Sequence, residues 1–486
     1  MTYAPLSLVF AVLLATAAAA QTSTEVITKQ YDNGGVYEGT FQDGKQDGHG
    51  VYRLPNGYEY DGAWVMGEIR GQGTARYPNG SVYVGAFAAG KPEGKGKITF
   101  ADGGTYEGDW LAGQMTGSGE VHYANGVTYT GQVLNAVHNG KGVMTDPSGY
   151  RYDGDWVGGL KEGTGTVTYP DGSIYTGALR ADQRDGQGKL TQVGGAVYEG
   201  VWTAGQINGP GTVTAANGDV YGGILVDGIK QGKGIATYAN GDTYDGDFAA
   251  DQRHGKGSFR GKDGTSYGGD WVEGRMEGMG RISYPNGSTY SGSFKNGIAD
   301  GTGRLVYADG NTYDGAWVNG VMTGKATATY TNGQKYQGDF LAGQQQGIGT
   351  MTYPDGYTYT GGWVAGQREG YGTATYPDGT AYTGQFVAGK RQGLGTIVMA
   401  DGFKYFGQWT AGDMAGKGVA TYTNGDVYEG EFAAGKRQGT GKLRYGTGEE
   451  ASGKWVNGEL TEPAPAAATP DPTAEPAATE PDTSGG

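Results

Sequence analysis

The chain has 486 residues, with 100 glycines, 36 tyrosines and no cysteine. Without cysteine it can form neither disulfides nor a thiolate metal site. Its formal net charge of −15 disfavours binding to nucleic acid or to an anionic lipid surface through bulk electrostatics.

Residues 1–20 have the composition of a secretory signal peptide. An apolar and small-residue run extends from Leu6 to Ala19, and three alanines before Gln21 suit cleavage by signal peptidase. The segment departs from the usual pattern because no Lys or Arg precedes the apolar run. The alternative is an uncleaved membrane anchor, although the run is short for a full span. The sequence therefore predicts an exported protein that is periplasmic, at the cell surface or secreted.

Residues 21–460 form a tandem repeat marked by a tyrosine at every twenty-third residue, from Tyr37 to Tyr428. The 18 tyrosines keep this spacing without an insertion or deletion, and Ala451 takes the nineteenth place. We number positions in each repeat from this tyrosine, which is position 0. A fixed period of this length is typical of a linear array of one small unit.

Each repeat has glycine at +2, mostly an aromatic residue at +4, and a Gly-x-Gly pair at +11 and +13 that fails only at Ala326. Position +17 is mostly tyrosine, and +19 and +20 read Asn-Gly or Asp-Gly with three exceptions. Such pairs between alternating segments are strong β-hairpin signals. Proline often precedes the pair, as in Pro78-Asn79-Gly80, and this favours a three-residue loop with a G1 bulge.

This loop length predicts the register of the strands. Position +15 faces the next tyrosine, +13 faces the next +2, and +11 faces the next +4. Because side chains alternate along a strand, positions 0, +2, +4, +11, +13, +15 and +17 share one face, where glycines leave room for rings over bare backbone. The sequence thus predicts an all-β fold of 19 tandem β-hairpins, from near Val26 to near Trp455, in an elongated, twisted antiparallel meander.

All nine tryptophans of the chain occupy position +4, mostly alternating with smaller residues such as Phe41 and Val133. One interpretation is packing, combined with descent from a two-repeat duplication. Another is a row of exposed platforms for sugar rings or another apolar ligand. On the second interpretation, the candidate interaction surface consists of Trp64, Trp110, Trp156, Trp202, Trp271, Trp317, Trp363, Trp409 and Trp455.

The array lacks a recognisable catalytic or cofactor-binding constellation. Its Gly-x-Gly segments lack the Gly-Lys-Ser/Thr ending of a phosphate loop. One turn aspartate per repeat suggests calcium, but an Asx-type turn explains these residues. The basic pairs at 390–391 and 436–437 are expected to be solvated loop charges. We therefore predict no enzyme activity, no cofactor and no metal site. Four histidines fall at four different repeat positions: His49, His122, His138 and His254.

Residues 461–486 form a Pro/Ala/Thr/Glu-rich tail without a basic residue. A composition of this kind cannot build a core, and we expect a disordered C-terminal spacer. A docking tail is the alternative.

The unit Tyr-x-Gly-x-Trp-x-x-Gly-x-x-x-Gly-x-Gly resembles the MORN repeat, and residues 359–372 match it without a gap. The resemblance covers about residues 26–460. It implies an antiparallel meander of hairpins with an accessory or scaffolding role, such as dimerisation, holding partners near membranes, or lipid binding. Some members of the family carry a kinase or methyltransferase domain beside the repeats, but this sequence has none that we recognise.

Two hypotheses follow for the function. The first is an exported, non-catalytic scaffold that binds a protein partner or self-associates along its length. The alternative is a ligand-binding module of the cell envelope that uses the aromatic trough for glycan or phospholipid. Neither involves nucleic acid or a transmembrane span after signal cleavage.

Overall fold

Every regular element that the structure describes is a β-strand. The structure is a computed structural model and describes residues 25–465. The predicted signal peptide and all but the first five residues of the predicted tail lie outside the described residues. Within them, no helix of a length and hydropathy suited to crossing a membrane occurs.

The chain divides into two units, Met1–Ala239 and Asn240–Gly486. In each unit, strands that follow one another in sequence pair antiparallel, which is the predicted meander. The strands of the first unit are β1 (Ile27–Gln30), β2 (Val36–Gln42), β3 (Lys45–Arg53), β4 (Glu59–Val65), β5 (Glu68–Arg76), β6 (Val82–Ala88), β7 (Lys91–Thr99), β8 (Thr105–Leu111), β9 (Gln114–His122), β10 (Thr128–Leu134), β11 (Val137–Thr145), β12 (Arg151–Val157), β13 (Leu160–Thr168), β14 (Ile174–Arg180), β15 (Gln183–Thr191), β16 (Val197–Thr203), β17 (Gln206–Thr214), β18 (Val220–Val226) and β19 (Ile229–Thr237). Those of the second unit are β20 (Thr243–Ala249), β21 (Gln252–Arg260), β22 (Ser266–Val272), β23 (Arg275–Ser283), β24 (Thr289–Lys295), β25 (Ile298–Val306), β26 (Thr312–Val318), β27 (Val321–Thr329), β28 (Lys335–Leu341), β29 (Gln344–Thr352), β30 (Thr358–Val364), β31 (Gln367–Thr375), β32 (Ala381–Val387), β33 (Lys390–Val398), β34 (Lys404–Thr410), β35 (Asp413–Thr421), β36 (Val427–Ala433), β37 (Lys436–Arg444), β38 (Glu450–Val456) and β39 (Glu459–Pro463).

The array starts where the sequence predicts but ends one strand later. β1 begins at Ile27, next to the predicted start, whereas β39 follows the predicted end near Trp455 and pairs with β38. The three residues Thr461–Pro463, assigned to the tail from composition, belong to this last strand.

The Asx-Gly turns have the predicted three-residue loop. Between β3 and β4, the N–H of Gly57 donates to the carbonyl of Leu54 at 3.0 Å, and the N–H of Leu54 donates to the carbonyl of Tyr58 at 2.8 Å. Gly57 has a φ of 90°, in the left-handed region that glycine tolerates. The Oδ1 of Asn56 accepts the N–H of Tyr58 at 3.0 Å, so the turn asparagine acts as an Asx cap.

Each repeat has a second tight turn, at positions +6 and +7, which was not predicted from the sequence. In the repeat that begins at Tyr359, Val364 pairs with Gln367, so Ala365 and Gly366 alone form the loop. Their φ angles of 48° and 80° are those of a type I′ hairpin turn. Positions +8 and +9, which were expected to lie in a loop, are the first residues of the next strand.

Replacing Ala365 by Asn is expected to stabilise this hairpin by roughly 0.5 kcal/mol, because Asn tolerates the left-handed conformation better than Ala. The N–H of Gly366, which donates to the carbonyl of Gln345 at 3.0 Å, should then exchange more slowly with solvent. Ala365→Val is the matched control and should accelerate exchange, because β-branched residues disfavour positive φ. Equal exchange in both variants would contradict a strained turn. Asparagine already occupies this position at Asn135, Asn296, Asn319 and Asn457.

The predicted register across the three-residue loop is confirmed. Between β3 and β4, Gly48 faces Trp64, and position +13 faces the next +2 at Gly50 and Gly62. Position +15 likewise faces the next tyrosine, at Tyr60. The aromatic residues at positions 0 and +4 are thereby brought to one face of the sheet.

Within each repeat, a bulge shifts the register between +2 and +4. Gly39 pairs with Gly50, but Phe41 pairs with Gln46, so three residues of β3 lie opposite one residue of β2. Gly48 lies in this bulge with a φ of 88°. The glycine at +11 is therefore required by the left-handed backbone of the bulge, and not, as expected from the sequence, by the space that the rings need.

Candidate interaction surface

The position 0 tyrosines form the core of one face of each unit, which we call the ring face (positions 0, +2, +4, +9, +13 and +15). Tyr359 is fully buried, and its hydroxyl donates to the carbonyl of Gly362, at +3, at 3.0 Å. Seventeen of these tyrosines donate the same hydrogen bond. A Cβ on Gly372, at +13, would lie 2.5–2.7 Å from the Tyr359 ring, so the ring covers bare backbone as predicted.

The tryptophans proposed as an interaction surface are core residues of the ring face. Trp363 lies between Tyr336 and Tyr359 in two edge-to-face contacts, each with a centroid distance of 5.3 Å. Its Nε1–H donates to the carbonyl of Gly349 at 3.0 Å. The nine tryptophans are only 2–7 % exposed. Their rings therefore pack in the core and are not accessible as platforms for a ligand.

Side chains at position +9 cover several of the tryptophan rings, a role that was not predicted from the sequence. The guanidiniums of four arginines lie 4.2–4.3 Å from the ring centroid of the tryptophan in the next repeat. Arg184, for example, stacks on Trp202 and donates from Nη2 to the carbonyl of Gly205 at 2.6 Å. Two of the four, Arg391 and Arg437, belong to the basic pairs that were expected to be solvated loop charges, and that expectation was wrong. The only sequence signal was the prevalence of long side chains at +9.

The opposite face, which we call the open face (positions +1, +3, +12 and +14), presents its side chains to solvent. In the first unit these are mostly polar and pair across strands, as in Lys95 with Asp109 at 2.6 Å and Lys97 with Glu107 at 3.1 Å. The hydrogen bond from Lys95 lowers the pKa of the Asp109 carboxyl. A groove of about 860 Å³ runs over the glycine backbone between these pairs. Exposed ion pairs of this kind contribute little to the stability of the fold. They make this part of the open face hydrophilic.

In the second unit the open face carries an apolar patch, defined as Ile348, Tyr371, Leu394 and Phe406. The first three occupy +12 in consecutive repeats, and all four side chains are 53–66 % exposed. Leu394 and Phe406 line a groove of about 680 Å³ whose floor is the backbone of the +2 and +13 glycines. Exposed apolar groups that cluster in this way are typical of interaction sites.

The histidines lie apart in the structure. His138 stacks on Tyr129 at 3.7 Å and shares a hydrogen bond with the Tyr123 hydroxyl at 2.9 Å, and burial lowers the pKa of its imidazole. His49 and His122 lie beside carboxylates on the surface, at 3.2 and 2.8 Å. Within residues 25–465, no three histidine or carboxylate side chains are grouped to hold a metal ion.

The sequence model of the MORN repeat matches 18 consecutive segments, which together cover most of the chain. A search of curated proteins gives no match. The matched segments are residues 37–57, 60–82, 83–105, 106–128, 129–149, 152–174, 175–197, 198–220, 221–243, 244–266, 267–289, 290–312, 313–335, 336–356, 359–381, 382–403, 405–427 and 428–450.

Among solved structures, the chain is similar to the TCP domain of SAS-4 (dCPAP) from Drosophila melanogaster in complex with a proline-rich motif of Ana2 (13% identity, 43% of this chain, 96% of that chain, TM-score 0.21). It is also similar to the TCP10 domain of Danio rerio CPAP (16% identity, 45% of this chain, 93% of that chain, TM-score 0.17). A streptogramin B lyase matches with 10% identity over 66% of this chain and 92% of that chain, at a TM-score of 0.11. At these identities and TM-scores no functional conclusion follows from the likeness.

Proposed function

Because the chain belongs to the MORN repeat family, we propose that it is an exported, non-catalytic scaffold that binds a protein partner on the open face of its second unit. The apolar patch is the observation that carries this proposal. Export is supported by the signal-peptide composition of residues 1–20.

The patch interrupts a row of otherwise mostly polar residues. Position +12 is occupied by Lys95, Lys141 and Thr302 in other repeats, but by Ile, Tyr and Leu in the three repeats of the patch. A soluble surface gains nothing from exposing these side chains, whereas burying each against a partner contributes roughly 1–2 kcal/mol. Tyrosine and phenylalanine are also among the residues that most often anchor protein interfaces.

The backbone under the patch favours close approach by a partner. Glycines at +2 and +13, such as Gly407 and Gly418, form the floor of the adjoining groove and present no side chain on this face. Consecutive +12 side chains are two strands apart, or about 9.6 Å. An extended partner segment therefore meets one apolar anchor about every third residue along the row.

A photo-crosslinking amino acid at position 371, in cells that produce the full chain, tests this proposal. We expect a discrete protein adduct in the exported fraction, where the mature chain should begin at Gln21. The same amino acid at Thr302, a polar +12 position, is the matched control and should give no such adduct. The variant Ile348→Ser with Leu394→Ser should weaken the adduct at 371 by tenfold or more while leaving the fold intact, because both side chains are exposed.

Three outcomes would contradict the proposal: equal crosslinking at 371 and 302, an intracellular chain that retains its first 20 residues, or retention of the mature protein on peptidoglycan or liposomes without a protein adduct. The last outcome would return the function to the glycan or phospholipid alternative. The buried tryptophans of the ring face do not support that alternative.

A further inference from the structure

In four repeats, position +9 of the ring face is an arginine whose guanidinium fills the space beside a tryptophan. Arg253 lies 4.2 Å from the Trp271 centroid and donates from Nη2 to the carbonyl of Gly274 at 2.9 Å. Arg437 repeats this arrangement with Trp455 at 4.3 Å and with the carbonyl of Gly458 at 2.6 Å. The array therefore contains several copies of a guanidinium site, each made of a tryptophan ring at +4 and a turn carbonyl at +7 of the next repeat.

One repeat keeps this site but lacks the side chain that fills it. Position +9 is Ala299 in the repeat of Tyr290, and alanine is the smallest residue at this position in the chain. The N–H of Gly320 donates to the carbonyl of Ala299 at 2.8 Å, as the N–H of Gly205 donates to that of Arg184 at 2.9 Å. The backbone around Ala299 thus has the same register as in an arginine repeat, and only the side chain is missing.

A cavity of about 450 Å³ occupies this place. Trp317, Gly320 and Tyr290 line it, and these are the equivalents of the tryptophan, turn glycine and tyrosine that surround Arg184. Tyr284 and Asn286 add polar groups at its wall. The volume is within the range of pockets that take small groups.

The charge around the cavity suits a cation. None of the described residues that line it is charged, so no basic side chain opposes a cation there. Asp300 follows Ala299 directly, and its carboxylate accepts the N–H of Asn319 at 3.0 Å, beside the turn that contains Gly320. The formal net charge of the chain is −15, which adds a long-range attraction for a cationic group.

We propose that the cavity at Ala299 binds the guanidinium group of an arginine side chain presented by a partner protein. The guanidinium stacks on the Trp317 ring and donates to the Gly320 carbonyl, as Arg184, Arg253 and Arg437 do within the chain. The site lies on the ring face and is independent of the apolar patch, so either proposal can fail without the other.

Titration of the full mature chain with N-acetyl-arginine N-methylamide tests the site. The readout is the nine indole N–H signals of the ¹⁵N-tryptophan-labelled protein, with Trp317 assigned from the Trp317→Phe spectrum. We expect the Trp317 signal to shift with an apparent Kd on the order of 10 mM, because one stacked cation and one hydrogen bond bind weakly. The citrulline analogue has the same shape without the charge and should cause no shift at equal concentration.

Two variants make the test specific. Ala299→Arg restores the pattern of the native arginine repeats, so it should fold and should abolish the Trp317 response. Arg184→Ala should create a second site, seen as a new response of the Trp202 signal. No Trp317 shift, an equal shift with citrulline, or a response that persists in Ala299→Arg would overturn the proposal. Tighter binding of free arginine than of the blocked form would overturn the assignment to a partner side chain.

Discussion

The variant Gly269→Ala is expected to lose about 3 kcal/mol of stability, whereas Gly268→Ala, one residue earlier on β22, should be as stable as the native chain or more stable. A Cβ on Gly269 would lie 2.6 Å from the Cα of Gly280 and 2.7 Å from the carbonyl oxygen of Met279. These are backbone atoms of the paired strand and cannot move without opening the ladder. A Cβ on Gly268 meets nothing closer than the Ser258 Oγ at 3.9 Å.

The measurement is amide hydrogen exchange along the chain, together with urea unfolding. For Gly269→Ala we expect faster exchange in β22, β23 and the adjoining strands, while distant repeats stay protected, because each repeat contacts only its neighbours. Equal protection in the two variants would refute the steric argument. Uniform loss of protection throughout the unit would refute its quasi-linear character.

The same geometry explains why position +2 is glycine in every repeat while +13 is replaced once. The three atoms nearest to a Cβ on Gly280, at +13, all belong to the side chain of Tyr267, at 2.4–2.6 Å, and a side chain can shift. Ala326 shows that a Cβ is tolerated at +13, because Tyr313 stays buried and keeps its hydrogen bond to the carbonyl of Ala316 at 2.7 Å. The two glycines look equivalent in the sequence, but the atoms nearest to a Cβ on Gly269 include backbone of the paired strand, whereas those nearest to a Cβ on Gly280 are side-chain atoms.

Alkali is expected to unfold the array cooperatively between about pH 10 and pH 12. Burial raises the pKa of Tyr60 to about 12, and it does the same for Tyr336, Tyr359 and most other position 0 tyrosines. The unfolded chain ionises its tyrosines near pH 10. Since the folded pKa is the higher one, the native stability is fully present below pH 10 and falls as the pH approaches 12. Each such tyrosine contributes a loss of about 1.4 kcal/mol per pH unit in this window.

Tyrosinate absorbance and far-ultraviolet circular dichroism, recorded on the same samples, check this expectation. The two signals should change together, because the buried phenols ionise only when the strands separate. The variant Tyr359→Phe removes one titrating group and one hydrogen bond, so it should unfold more easily at neutral pH and show a slightly shallower pH dependence. Ionisation of the position 0 tyrosines near pH 10 with an intact β-sheet signal would contradict the burial argument.

Several features of this fold could be predicted from residues that lie close together in the chain. The Asn-Gly and Asp-Gly pairs specified the three-residue loop, and that loop specified the register that places Gly50 opposite Gly62. The second turn was missed because many repeats have alanine at +6, as at Ala365, and only a few carry the Asn-Gly signal of a type I′ turn, such as Asn296-Gly297. The positive φ of Ala365 is unfavourable for alanine, and it is imposed by the pairing of the two strands that flank the turn.

The repeat that begins at Tyr198 shows how far a sequence motif can mislead. It has the tyrosine, glycines and tryptophan that are typical of the array, yet Tyr198 is only half-buried. Ile207 is buried instead, with its Cδ1 3.3–3.4 Å from the Cβ positions of Gly200 and Gly211, where a tyrosine ring lies in other repeats. A branched apolar residue at +9 can occupy the space over the +2 and +13 glycines in place of the tyrosine ring. The spacing of residues in the sequence does not show which of the two side chains is buried there.

By itself, the sequence determined the repeat, the strand pairing between neighbours and the face on which the rings lie, because all three depend on short loops and on alternation along single strands. Only the tertiary structure decided which rings are accessible. The tryptophans are covered by the tyrosines on either side and, in several repeats, by an arginine 18 residues earlier in the chain, a contact that exists only after strands from successive repeats have paired. Because this packing buries the tryptophans, the candidate interaction sites are the apolar patch and the cavity at Ala299.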